Sequence, residues 1–299
     1  MQKVTVAGCV NIELGGTVIA FLSRDEGLNK EFPPRYAPFM TDKAPEVSVE
    51  IRHDFDFHVP DLGRTVFDSG GNWSLHQSGD QQFIKIHSPR YDPLQIVSLS
   101  PDLRENIIHC VGEQWVDGEL YPLGYPLEEL LTVMLLAQGR GVLLHASAVK
   151  MGDRGILFSG MSGAGKSTMA SLWDGLENAT VLSDDRVIVR QHDGQMWAYG
   201  TPWHGSARIS SPEAVQLDHI FILHHAERNT ATSLSAPQAA AMLLARSFPP
   251  LWDAQGMDFT LSLLDRMVKT VSCTALGFVP DKTALEYVQW LCAHNREDE

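Results

Sequence analysis

The chain is short of positive charge. It sets 23 Lys and Arg against 37 Asp and Glu, a formal net charge of −14. That balance works against nonspecific attraction to DNA, RNA or an anionic membrane, so neither a nucleic-acid nor a membrane partner is expected. Cysteine is scarce as well: Cys9, Cys110, Cys273 and Cys292 are far apart and form no C-x-x-C pair. Neither a zinc site nor a disulfide framework is expected; buried free thiols in a reducing compartment are. Long apolar runs are missing too. The stretch from Val4 to Leu22 is broken by Asn11, Glu13 and two glycines, and Lys3 is the only early base. Neither a signal peptide nor a membrane-spanning helix is expected, which implies a cytoplasmic protein.

What is present, 299 residues with 44% apolar content, suffices for a large core divided between two domains. Residues 1–124 read as β-rich. Val47 to Arg52, Phe55 to Val59 and Phe83 to His87 alternate apolar and polar, and Ile107 to Val111 supplies another strand. Ser78-Gly79-Asp80, between Trp73 to His76 and the Phe83 run, signals a hairpin. A small antiparallel domain is expected, with the histidines at 53, 58, 76, 87 and 109 on a solvated strand face. From Pro126 to Gln138 the period becomes helical: Leu127, Leu130, Leu131, Met134 and Leu135 share one face, and Gly139 suits the position just past the helix. This helix is read as the connector to a second domain, residues 125–299.

The second domain holds the motif that carries chemistry. Gly160-Met161-Ser162-Gly163-Ala164-Gly165-Lys166-Ser167 reads G-x-x-x-x-G-K-[ST], the glycine-rich phosphate-binding pattern. Before it, Gly155 to Phe158 is a short apolar strand; after it, Ser167 to Trp173 reads as a helix. In that context the backbone amides of Gly160, Ser162, Gly163, Ala164, Gly165 and Thr168 are expected to surround a polyphosphate at a helix N-terminus. Lys166 is expected to reach its β/γ-phosphates and Ser167 to sit on Mg²⁺.

Two further signals flank the loop. His145 interrupts the apolar strand Val142 to Val149, where taken alone it reads more readily as a satisfied core residue than as a catalyst. Asp184-Asp185 closes the strand Ala179 to Leu182. Adjacent carboxylates at a strand end one crossover from a phosphate loop suit phosphoryl transfer: one holds Mg²⁺ and the other accepts the proton of an attacking hydroxyl. Beyond them a hairpin over 187–199 leads into Gly200 to Gly205, a loop that either caps a site or turns a corner. A strand at Ile220 to Leu223, helices over 235–246 and 258–269, an extended stretch at Val271 to Leu276 and a last helix from Asp281 to Cys292 complete the chain. Arg208, Arg228 and Arg246 are candidate phosphate or adenine contacts, with surface arginine as the default.

With His145, the glycine-rich loop and Asp184-Asp185 in this order, the chain resembles the catalytic domain of HPr kinase/phosphorylase. More distantly it is similar to ATP-dependent phosphoenolpyruvate carboxykinase. The resemblance covers residues 140–225 best. It implies a mixed α/β fold, ATP and Mg²⁺ as cofactors, and transfer of the γ-phosphoryl group to a serine hydroxyl of a protein or peptide. It also implies that Asp184 is the general base, that Asp185 and His145 complete the metal and phosphate environment, and that the chain self-assembles as a homo-oligomer. A small-molecule phosphotransferase or carboxykinase-like enzyme and a nucleotide-sensing partner protein without turnover are the other two readings.

Overall fold

The structure, a computed structural model, describes residues 8–23, 32–54, 57–111 and 122–294. The chain divides into two compact units, residues 1–135 and 136–299.

Among the described residues, unit 1 contains eight strands in the order β1-β2-β3-β8-β7-β6-β5-β4. They are β1 Cys9–Leu14, β2 Thr17–Ser23, β3 Val47–Asp54, β4 Arg64–Asp68, β5 Trp73–Ser78, β6 Gln81–Ile86, β7 Gln95–Leu99 and β8 Glu105–Val111. Gly79 at φ 60 begins the two-residue turn between β5 and β6, where the hairpin is expected. Gly15 and Gly16, which break the early apolar stretch, turn a hairpin of their own with φ 55 and 74 and Leu14 paired to Thr17.

Four expectations for this unit need correction. The sheet is mixed: β2 pairs β3 in parallel and β3 pairs β8 in parallel. The connections between these strands are long enough to return the chain in the same direction, which a short hairpin cannot do. Of the run 55–59, Phe55 and Asp56 lie outside the described residues, and 57–59 form no strand. His109 is buried, stacked on Phe57 with ring centroids 4.1 Å apart. Cys9 is exposed, against the expectation for the thiols, whereas Cys110, Cys273 and Cys292 are buried and all four are free. Burial pushes the Cys273 and Cys292 thiols up to about 12.

A helix, α1 Leu127–Ala137, ends as the second unit begins. Unit 2 then runs β9 Val142–Met151, β10 Arg154–Gly160, α2 Lys166–Trp173, β11 Ala179–Ser183, β12 Arg186–His192, β13 Gln195–Tyr199 and β14 Ala214–His225. It ends with β15 Thr230–Ser233, α3 Ala236–Leu244, α4 Ala254–Thr270, β16 Ser272–Phe278 and α5 Lys282–His294. Helix α4 starts earlier than periodicity indicates because the Asp253 carboxylate accepts the Gln255 N–H and caps it there. Strands β9, β12, β13, β14 and β10 close a ring of hydrogen-bonded neighbours. On one side Leu144, Ala146, Leu157 and Ile222 pack with Leu243 of α3 and Leu264 of α4. On the other, Ile156, Phe158 and Phe221 pack with Met169 and Trp173 of α2 and Val288 of α5.

Strand β9 sets the position of the site. It pairs antiparallel with both β10 and β11, so those two strands run parallel to each other and end on one edge. Ser159 of β10 lies opposite Ala146, and Arg186 of β12 lies opposite His145. The end of β10, the Asp184-Asp185 corner and His145 therefore come to one level of the sheet. Among the described residues no helix is long and apolar enough to cross a membrane.

Candidate functional site

The loop after β10 turns through two glycines in the left-handed region, Gly163 at φ 78 and Gly165 at φ 97. A Cβ at Gly165 would meet the Phe278 ring at 2.5 Å, so both backbone angle and packing demand glycine there. The Gly163 carbonyl accepts from His225 Nε2 at 2.8 Å, which fixes the proton-bearing nitrogen of that ring. Ala164 turns its methyl into the apolar cluster beneath α2.

Lys166, the first residue of α2, is buried with its chain folded back on the loop. Its Nζ donates to the carbonyls of Gly160 at 3.1 Å and Met161 at 3.2 Å. An ammonium has three donors, so one is left over for an anion in the cleft. Burial lowers the Lys166 pKa from the ordinary lysine range; nearby Asp185 opposes that shift and Arg246 adds to it. Of the three arginines singled out in the sequence, Arg208 and Arg228 are exposed, while Arg246 is near enough to act on Lys166.

The two aspartates have different surroundings. Asp184 is buried, and its carboxylate accepts the Gly205 amide at Oδ1 and the Ala207 amide at Oδ2, each at 2.8 Å. A Cβ at Gly205 would fall 2.8 Å from Asp184 Oδ2 and 3.2 Å from Ser167 Oγ, so Gly205 packs against both groups and leaves room for no side chain there. Ser167 Oγ also donates to the Asp184 backbone carbonyl at 3.3 Å. Asp185 is held on its other side, with Oδ1 3.2 Å from His145 Nδ1 and Oδ2 bonded to Arg186, whose guanidinium lies over the Phe248 ring. The bond from His145, helped by Arg186 and opposed by burial, holds the Asp185 carboxyl below the usual carboxylate range.

The sign of that shift has a measurable outcome. A carboxylate with a depressed folded pKa stabilises the fold above its unfolded pKa of about 3.9, and this contribution is lost as pH falls through the folded value. Urea midpoints of the wild type should therefore fall more steeply with acid below about pH 4 than those of Asp185→Asn. Parallel pH profiles for the two proteins would count against the His145–Asp185–Arg186 arrangement.

One cleft of about 290 Å³ gathers His145, Ser162, Gly163, Gly165, Lys166, Ser167, Thr168, Asp184, Asp185, Gly205 and Ser206. Of the residues read from sequence as site residues, Gly160 and Ala164 lie outside its lining: Gly160 offers its carbonyl to Lys166, and Ala164 packs in the core. The loop over 200–205 does more than turn a corner. Ser183 Oγ donates to the Trp203 carbonyl at 3.1 Å and Thr201 Oγ1 to the Arg186 carbonyl at 2.7 Å, which pins the loop across the Asp-Asp corner. Sequence reasoning missed Gly205, Ala207 and His225 as site partners. Two of these act through backbone amides, which leave no mark on residue type beyond the glycine that lets the chain approach.

Unit 2 is thus a mixed α/β unit in which a strand, a glycine-rich loop and a helix share a cleft with two aspartates and a histidine. The model of the family described as "SynChlorMet cassette protein ScmC" matches residues 127–269, a little under half of the chain. No curated protein matches the sequence. Among solved structures the chain is similar to the Hpr(Ser) kinase/phosphatase from Coxiella burnetii, at 13% identity over 51% of this chain and 95% of that one, with a TM-score of 0.30. A score of that size does not equate the two folds, so function is argued from the geometry of the cleft.

Proposed function

We infer that the protein binds ATP with Mg²⁺ and transfers its γ-phosphoryl group to a hydroxyl, that of a serine on a protein or peptide. The observation that carries this reading is the meeting, in one cleft, of a buried ammonium with a donor to spare and a buried carboxylate held rigidly by two amides. Phosphoryl transfer asks a protein mainly for alignment and charge neutralisation, and both parts are supplied. Lys166 and the N-terminus of α2 take the β- and γ-phosphates. The Asp184 carboxylate takes the proton from the attacking hydroxyl as the new O–P bond forms and the bond from γ-phosphorus to the β-bridging oxygen breaks. His145 and Arg186 hold Asp185 ionised, adding to a negative rim that a bound metal ion would balance.

The residues suit magnesium. The Asp184 carboxylate and the Ser167 hydroxyl line the same cleft and are hard oxygen donors, each with lone pairs to give. Mg²⁺ takes one or two protein oxygens and completes its shell with water and phosphate. When bound, it would supply charge neutralisation to the triphosphate.

Lys166→Ala tests this reading. Loss of a charge-assisted contact to the phosphates should weaken ATP binding, measured calorimetrically with Mg²⁺, by roughly tenfold to a few hundredfold. Equal affinity of the two proteins, or absence of binding by the wild type, would overturn it.

A further inference from the structure

Four hydroxyl residues line the cleft: Ser162, Ser167, Thr168 and Ser206. The first three belong to the glycine-rich loop and the start of α2, which face the phosphates. Ser206 comes from a different segment, the loop that follows β13. Its neighbours on both sides, Gly205 and Ala207, give their amides to the two oxygens of Asp184, so residue 206 bridges the carboxylate. Ser206 is exposed, and its hydroxyl has no hydrogen-bond partner among the described residues. The turn that presents it is closed by the Arg208 N–H to the Gly205 carbonyl at 3.3 Å, with Arg208 in the left-handed region at φ 58. A non-glycine residue there is strained, which is common where a loop is held for chemistry.

From this placement we propose that Ser206 is a self-phosphorylation site: with no external acceptor in the cleft, the chain transfers the γ-phosphoryl group of ATP to its own Ser206. The step rests on the phosphotransferase reading above. Ser206 Oγ attacks the γ-phosphorus, the bond to the β-bridging oxygen breaks, ADP leaves, and the hydroxyl proton passes to the Asp184 carboxylate. Ser206 is both exposed and part of the cleft lining, and Gly205 gives the backbone room to lie against the carboxylate. The product is a phosphoserine of nearly two negative charges beside Lys166 and the α2 N-terminus. It fills the space that receives phosphate, so the reaction stops at one phosphate per chain and the modified protein binds nucleotide poorly.

The test uses the full chain with γ-labelled ATP and Mg²⁺, followed by peptide mapping by mass spectrometry. The expected result is phosphate on Ser206, approaching one per chain, at a rate per molecule that is unchanged by dilution. Ser206→Ala should lose this label, and Ser206→Thr should carry phosphothreonine at the same place. As a readout independent of turnover, the phosphorylated chain and Ser206→Asp should both bind ATP roughly tenfold or more weakly than the unmodified wild type. The inference is overturned if the wild type binds ATP and phosphorylates an added hydroxyl compound while Ser206 stays unmodified. Label confined to Ser210 or Ser211, or a rate that falls with dilution, overturns it equally. Absence of ATP binding would remove the phosphotransferase reading itself, and this inference with it.

Discussion

Asp184→Asn is expected to slow phosphoryl transfer by roughly 10²- to 10⁴-fold, the range lost when a positioned proton acceptor is removed. The substitution keeps the side chain's shape and deletes its charge. In the native chain the Gly205 and Ala207 amides hold both carboxylate oxygens. An amide side chain can satisfy one of them; its NH₂ group must face the other donor. The loop is thus loosened at one point without being released, and Lys166 still has its own anchors on the Gly160 and Met161 carbonyls. ATP affinity should therefore fall far less than the turnover rate. ADP release in a coupled assay, set beside calorimetric ATP binding, separates the two effects. Turnover at the wild-type rate would reduce Asp184 to an anchor for the 205–207 segment.

Gly165→Val should remove ATP binding and lower stability by about 3 kcal/mol or more, combining backbone strain with overpacking. At φ 97 a β-branched residue is far from its allowed regions, and its Cβ would enter the Phe278 ring. Phe278 is fully packed in the cluster beneath α2, so the ring has little room to give. Gly163→Ala provides the comparison. Gly163 also has a positive φ, 78, yet a Cβ there meets nothing within 4 Å. Only the backbone penalty of about 1 kcal/mol applies. Urea unfolding monitored by tryptophan fluorescence measures both, and equal midpoints for Gly165→Val and wild type would refute the assignment of Gly165 as the pivot of the loop.

These expectations show which parts of the molecule were readable in its residues. Local signals carried far: the helical period in α1, the hairpin at Gly79, the strand before Gly160 and the apolar run of β9 all depend on neighbours in sequence. Pairing direction depends on distant partners. Hence the parallel contacts of β3 with β2 and β8 were not visible, and β14, whose first half pairs β13 and whose second half pairs β10 and β16, reads in sequence only as its apolar end, 220–223. Histidine at 109 alternates with apolar residues, yet a neighbouring aromatic covers it. In the cleft, Lys166, Ser167, Asp184, Asp185 and His145 were legible because side-chain chemistry is written in residue type. The amides of Gly205 and Ala207 were not, since a peptide N–H is the same at every residue but proline.

That last property separates the Asp184 carboxylate from the side chains around it. Asp184 is gripped by main chain, so the side chains at 206–208 can be exchanged without loosening the grip, provided that glycine is kept at 205 and proline is avoided at 205, 207 and 208, where the Arg208 N–H closes the turn at φ 58. The rim of the cleft is therefore free to diverge in shape and charge while the carboxylate stays where it is. A library randomised at positions 206 and 208 is accordingly the place to reshape what the cleft accepts beside an unchanged glycine-rich loop.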